Sequence, residues 1–188
     1  MKKLITLLVL AVVLLVAFGC EKNNSELFDK NEWVAIITRV AYSDDSSLVT
    51  GALNLEKMNV SIVEHLPIYK VDKMEEFERF KEAYTDVLFL NRAYDNAPSF
   101  EESTLKYDET FFESNSLLII YVSAGSGSYR YEVDEIYCDD QSLCVHVITT
   151  NSADEVLTAD EAGHLITVAI ADNLISDCKL FDADLNNR

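Results

Sequence analysis

Ser116 to Val122 reads Ser-Leu-Leu-Ile-Ile-Tyr-Val, an unbroken apolar run behind one serine. Successive side chains on a strand point to opposite faces, so a run that is apolar at every position has to be covered on both sides. It predicts a strand in the middle of a sheet. Leu165 to Ala171 (LITVAIA) has the same character and predicts a second buried strand.

The segments between these two runs alternate instead. After a glycine-bearing turn at Ala124 to Ser128, strict alternation puts Tyr129, Tyr131, Val133 and Tyr137 on one face and Arg130, Glu132 and Asp134 on the other. Cys144 to Thr149 alternates as well, across the turn-forming stretch Asp139 to Leu143. Both read as half-exposed strands of a hairpin. Asn151 to Gly163 is an acidic surface excursion, and Cys178 to Phe181 predicts a last short strand.

Upstream, Trp33 to Val40 (WVAIITRV) is rich in β-branched residues and predicts a first strand, followed by an Asp-Asp-Ser-Ser turn at Asp44 to Ser47. Asn59 to Val63 and Pro67 to Val71 are weaker strand signals, and Pro67 fits a strand start or an edge because it has no N–H to donate. Lys73 to Tyr84 (KMEEFERFKEAY) predicts a helix, with Met74, Phe77, Phe80 and Tyr84 on one face and Asp72 and Glu75 forming a capping-box-like start. A short helix is expected after Ser99, and another over Asp108 to Glu113 that places Phe111 and Phe112 near the core. Local strand-to-strand connections predominate after residue 115. The expected fold class is therefore α+β, a mostly antiparallel β-sheet with one long and one short covering helix, with a β-sandwich as the alternative.

The amino end bounds location. Met1-Lys2-Lys3 runs into fifteen residues without a charge, Leu4 to Phe18, and ends at Gly19-Cys20. That run is shorter than the roughly 20 residues a bilayer-crossing helix needs, and a small residue stands directly before a cysteine, the layout of a bacterial lipoprotein signal. Residues 1–19 are expected to be the signal, with Cys20 the lipidated first residue of the mature chain. Residues 20–31 are expected to be a flexible tether, and residues 32–188 a single globular extracytoplasmic domain. The expected location is the extracytoplasmic face of the cell membrane, held by acyl chains, since two or more chains give stable anchoring where one is marginal.

The net charge of −18 repels phosphate backbones and anionic headgroups, which excludes nucleic acid and polybasic-type membrane binding. His65, His146 and His164 share no metal-ligand spacing with one another or with the cysteines, so no metal and no cofactor is expected. Ser126 lies in Gly125-Ser126-Gly127, but the following segment alternates like a strand, whereas a nucleophile elbow needs a helix there. Asp182-x-Asp184-x-Asn186 imitates the start of a calcium loop but lacks its glycine and its closing glutamate. No catalytic residue emerges.

Two expectations remain. Opposing Cys138 and Cys144 across the hairpin keeps the apolar sides together, so an exported chain could join them in a disulfide; Cys178 is the alternative partner of either. Ser126, Ser128, Tyr129, Arg130 and Tyr131 gather aromatic and guanidinium groups on one turn, the composition of a recognition surface.

Over Tyr107 to Ile170 the succession Tyr107-Asp108-Glu109-Thr110-Phe111-Phe112, the apolar Leu117 to Val122, the turn Gly125 to Tyr129 and the alternating strands resemble the C-terminal domain of PrcB-type bacterial lipoproteins. That family has a Gly-Gly-Tyr-like turn where this chain has Ser126-Gly127-Ser128-Tyr129. The resemblance implies association with an exported protease complex and supplies no catalytic residues. The whole chain also resembles small lipoproteins of Gram-positive bacteria. The expected function is a membrane-anchored, non-enzymatic binding or assembly module for an exported protein. The alternatives are a small-ligand-binding lipoprotein and a hydrolase built on an unrecognised Ser, His and Asp set.

Overall fold

The computed structural model describes residues 25–40, 65–94, 96–139, 141–151 and 162–186. Cys20 and the expected signal, the expected Asp44 to Ser47 turn, the Asn59 to Val63 strand signal and most of the acidic excursion lie outside them.

The doubly apolar runs form the centre of the first of two four-stranded sheets. It holds β2 (Trp33–Val40), β7 (Ala162–Ala171), β4 (Asn115–Ala124) and β3 (Ile68–Val71) in that order, antiparallel throughout. The second holds β1 (Glu26–Leu27), β5 (Tyr131–Asp139), β6 (Ser142–Thr149) and β8 (Leu180–Asn186); its first three strands are antiparallel and β8 joins β6 in parallel. Helix α1 (Met74–Leu88) is long, while α2 (Phe100–Ser103) and α3 (Asp172–Ile175) are single turns, as is a 3-10 turn at Phe111–Glu113.

Each face of β4 feeds a different core. Leu118, Ile120 and Val122, with Ile166, Val168 and Ile170 of β7, meet Val133, Ile136, Leu143, Val145, Val147 and Ala183 of the second sheet. On the opposite face Leu117, Ile119, Tyr121 and Leu165 pack beneath Phe77, Phe80 and Leu88 of α1, with Phe100 and Tyr107 beside them. The protein is thus an α+β fold of three layers, helix on sheet on sheet, and the sandwich alternative describes its two-sheet half. Each fully buried Leu, Ile or Phe contributes roughly 1.5–3 kcal/mol of burial, so these two cores supply most of the drive to fold.

Several local expectations change in detail. Helix α1 starts one residue later than its Asp72 signal: Lys73 is the cap, without a side-chain bond, and Glu76 accepts from the Asp72 backbone N–H at 3.0 Å. The capping box is found instead at α2, where Ser99 and Glu102 exchange bonds at 3.2 and 2.9 Å. The expected tether over residues 20–31 ends early, because Glu26–Leu27 pairs with β5 and Phe28 is buried in the inter-sheet core. A single aromatic side chain with a core slot available outweighs the polar composition around it.

The most consequential correction concerns parity. The β5–β6 ladder carries a bulge between Val133 and Glu135, leaving Asp134 as the extra residue. An inserted residue reverses which later positions face inward. Beyond it Ile136 and Cys138 point to the core, Tyr137 points out, and the register pairs Tyr137 with Cys144 and Cys138 with Leu143. Cys138 and Cys144 therefore lie on opposite faces of the sheet, so the expected bridge between them does not fit this register.

Candidate functional site, the outer face of the second sheet

The side of β5, β6 and β8 that turns away from the core is not bland. The register places Glu135 beside His146, His146 beside Asp184, and Asp184 beside His65, which joins the sheet through an isolated bridge. One step along the strands, Tyr137 stands beside Cys144 and Cys144 beside Asp182. Paired positions share a face, so these seven side chains make a two-row grid on one rigid surface. Between them, Ile136, Leu143, Val145, Val147 and Ala183 take the inward positions, and their burial fixes the grid in place.

Two histidine–carboxylate pairs organise the grid. His65 Nδ1 lies 2.7 Å from the Asp182 carboxylate, and His146 Nδ1–H donates to Asp184. The His146 and Asp184 side chains are 20% and 32% exposed, those of His65 and Asp182 37% and 35%, which leaves each pair open to a partner. Each ring spends Nδ1 on a carboxylate, which orients it and leaves Nε2 to meet a ligand.

Cys144, in the middle of the second row, is buried, its Sγ 4.0 Å from Asp184. Burial raises its thiol pKa, and the negative charges of Asp184, Asp182 and Glu135 add to that against a hydrogen bond with Tyr137. It is held as a neutral thiol, the opposite of what a nucleophilic cysteine needs. Tyr137 is likewise kept a neutral phenol, mainly by its hydrogen bond with Cys144 and then by burial. The grid offers donors and acceptors rather than an activated nucleophile. Among the described residues no group of three or more His, Cys, Asp or Glu side chains is arranged to hold a metal ion.

The turn singled out in the sequence is placed differently. Ser126 and Tyr131 are buried, Ser128 and Tyr129 half-buried with Tyr129 stacked on Tyr131 at 6.2 Å between ring centroids, and of the five Arg130 alone is exposed. Its guanidinium donates to the carbonyls of Gly127 and Tyr129 at 3.2 and 3.0 Å, while the Ser128 N–H donates to Ser126 Oγ at 3.1 Å. Asn151 ties the turn down from outside, accepting from the Arg130 N–H at 2.7 Å and donating to the Ser128 carbonyl at 3.0 Å. With Ser126 and Tyr131 buried, Ser126, Ser128, Tyr129, Arg130 and Tyr131 do not form one exposed aromatic surface.

His164 lies on β7, in the other sheet. It is 3% exposed, edge-on to Tyr131 at 4.9 Å, and its Nδ1 finds no partner. Burial lowers its pKa to about 4, with the charges of Arg39 and Arg130 adding to the effect, so it is neutral at ordinary pH. The signal that could have found the outer grid was the pair Asp182 and Asp184 at strand spacing, which on β8 puts two carboxylates on one face.

Two clefts bear on a ligand. An apolar one lined by Tyr69, Phe80, Tyr84 and Tyr121 has a volume of about 10 Å³, room for about one water. A wider, open one of about 290 Å³ lies between Trp33, Val34, Lys106, Tyr107, Phe111 and Asn115.

No family model, curated protein or solved structure matches the chain.

Proposed function

We propose that the protein is a lipid-anchored, extracytoplasmic binding module for an exported protein, and that the outer face of the second sheet is its contact surface. The observation that supports this best is the grid itself: seven polar or titratable side chains, two of them histidines oriented by carboxylates, six held on β-strands and His65 by a bridge to β8, and partly open. Sites carried on strands are positioned more firmly than sites on loops, and half-buried polar groups with fixed geometry discriminate between partners. Glu135, Asp182 and Asp184 in a chain of net charge −18 favour a basic partner segment. The resemblance to PrcB-type lipoproteins points the same way, toward an exported protein complex.

A photo-crosslinking residue placed at Glu135 in intact cells should give a discrete adduct, and the same residue at Tyr69 on the other sheet should not. Asp182→Asn with Asp184→Asn should reduce the adduct about tenfold or more, corresponding to a loss of roughly 1.4 kcal/mol of binding. Equal adducts from both positions, or an adduct indifferent to the two aspartates, would remove the outer face from consideration.

The small-ligand alternative has one observation behind it, the wider cleft beside Trp33 and Lys106, whose volume is at the lower end of ligand sites. Its lining carries one charge of each sign, Glu32 and Lys106, so it favours neither anion nor cation.

A further inference from the structure

Cys138 and Cys178 are brought together by three separate features of the fold. The bulge at Asp134 turns Cys138 inward at the end of β5, against the inter-sheet core. Cys178, 9% exposed, belongs to the same core and lies in the turn between α3 and β8, where its N–H donates to the Ile175 carbonyl at 3.0 Å. The amides of Lys179 and Leu180 both donate to the Gln141 carbonyl, at 2.7 and 3.2 Å, which fastens that turn to the β5–β6 hairpin. The two sulfurs are left in direct contact, 2.8 Å apart, across 40 residues of chain. Cys144, on the opposite face of the sheet, has Asp184 and Tyr137 for neighbours instead.

We propose that Cys138 and Cys178 close to a disulfide under oxidising conditions, and that Cys144 remains a thiol. The bond joins β5 to the turn that leads into β8, the strand that carries Asp182 and Asp184, and so secures one side of the outer grid. The occurrence of the bond in cells rests on the extracytoplasmic location proposed above, while its pairing rests on the fold alone.

The chemistry balances with any disulfide donor of the glutathione or dithiol-protein class. Cys138, the more exposed sulfur, attacks a donor sulfur as its thiolate and releases one donor thiol. Cys178 then attacks Cys138 in the mixed disulfide and releases the second. Two electrons and two protons pass from the protein to the donor. Burial, with the Cys138 contact second, pushes the Cys178 thiol up to about 12, so the second step should quicken as pH rises.

The test uses the full chain, extracted in detergent, incubated with oxidised glutathione, denatured in acid and alkylated. Trypsin is unsuitable because no Lys or Arg stands between Arg130 and Lys179; cleavage before aspartate separates Asp134 to Cys138, Asp140 to Ala153 and Asp177 to Phe181, each with one cysteine. The first and third peptides should be joined and the second alkylated. Reduction should lower the melting temperature by about 10 °C, as expected for a loop of this length in a domain of this size. Cys178→Ser should melt with the reduced protein and Cys144→Ser with the oxidised one; if a serine variant does not fold, reduced wild type serves as the comparison. Three alkylated peptides after oxidation, or Cys144 in any bridge, would overturn the pairing. The correct bridge in glutathione, but three free thiols in protein taken directly from cells, would uphold the pairing and overturn the extracytoplasmic reading.

Discussion

His164 carries a stability effect whose size and direction follow from its surroundings. In the unfolded chain it titrates near its ordinary value of 6.5, and in the folded protein burial and the two arginines lower that to about 4. The depressed folded value means that the unfolded state binds the proton first as pH falls. Stability is therefore unaffected above about 6.5, declines between there and about 4, and stops declining below, because both states are then protonated. Between pH of about 7.5 and about 5 the loss comes to roughly 2 kcal/mol, since stability falls by about 1.36 kcal/mol for each pH step in which only the unfolded chain holds the proton. In a chain of this length that is about 4–8 °C of melting temperature. The assay is urea unfolding at both pH values for wild type, His164→Phe and His164→Leu. The first variant keeps a ring against Tyr131, and the second avoids overpacking. Whatever else changes with pH is common to all three proteins, so the difference of differences isolates His164. Wild type should lose roughly 2 kcal/mol more than either variant on acidification. Equal losses would show that His164 is not held neutral by burial, and the placement of β7 against Tyr131 would be wrong with it.

Gly163 faces Tyr121, and an added Cβ would stand 2.8 Å from the ring and 3.1 Å from Val40. Gly163→Ala should destabilise by about 1–2 kcal/mol, an overpacking cost of about 1–3 partly offset by the better strand behaviour of alanine, so an unchanged or higher melting temperature would contradict that contact. Cys20→Ser should abolish fatty-acid incorporation and move the protein out of the detergent phase; unchanged partitioning and labelling would remove the anchor.

The layered architecture was legible because burial on two faces leaves a composition that nothing else produces. Leu117 to Val122 is apolar at every step and Leu165 to Ala171 at every step but Thr167, and they became the two central strands of the doubly covered sheet. The Phe77 and Phe80 stripe likewise announced the helix that covers it. Phe28 was missed because one core residue in a polar stretch leaves no period to read. The outer grid was missed because its partners are far apart in sequence: His65 meets Asp182 across 117 positions, and His146 meets Asp184 across 38 on a strand added in parallel. Each residue alone resembles a solvated surface residue, and only the register makes them neighbours.

The bulge at Asp134 connects these observations. Without an inserted residue, strict alternation from Tyr131 through Val133 sends Tyr137 to the core and leaves Cys138 on the outer face with Cys144. With it, Ile136 fills the core and Tyr137 is delivered beside Cys144, while Cys138 turns in toward Cys178. One added position thus separates two cysteines that sequence spacing makes look like partners, and gives them different environments. The inward sulfur gains a neighbour with which it can bond, whereas the outward one is kept a thiol by burial first and by the nearby carboxylates second. Bulges re-aim side chains at a local cost to the ladder, and that cost is borne here on the strand whose two faces supply both the core and the candidate contact surface.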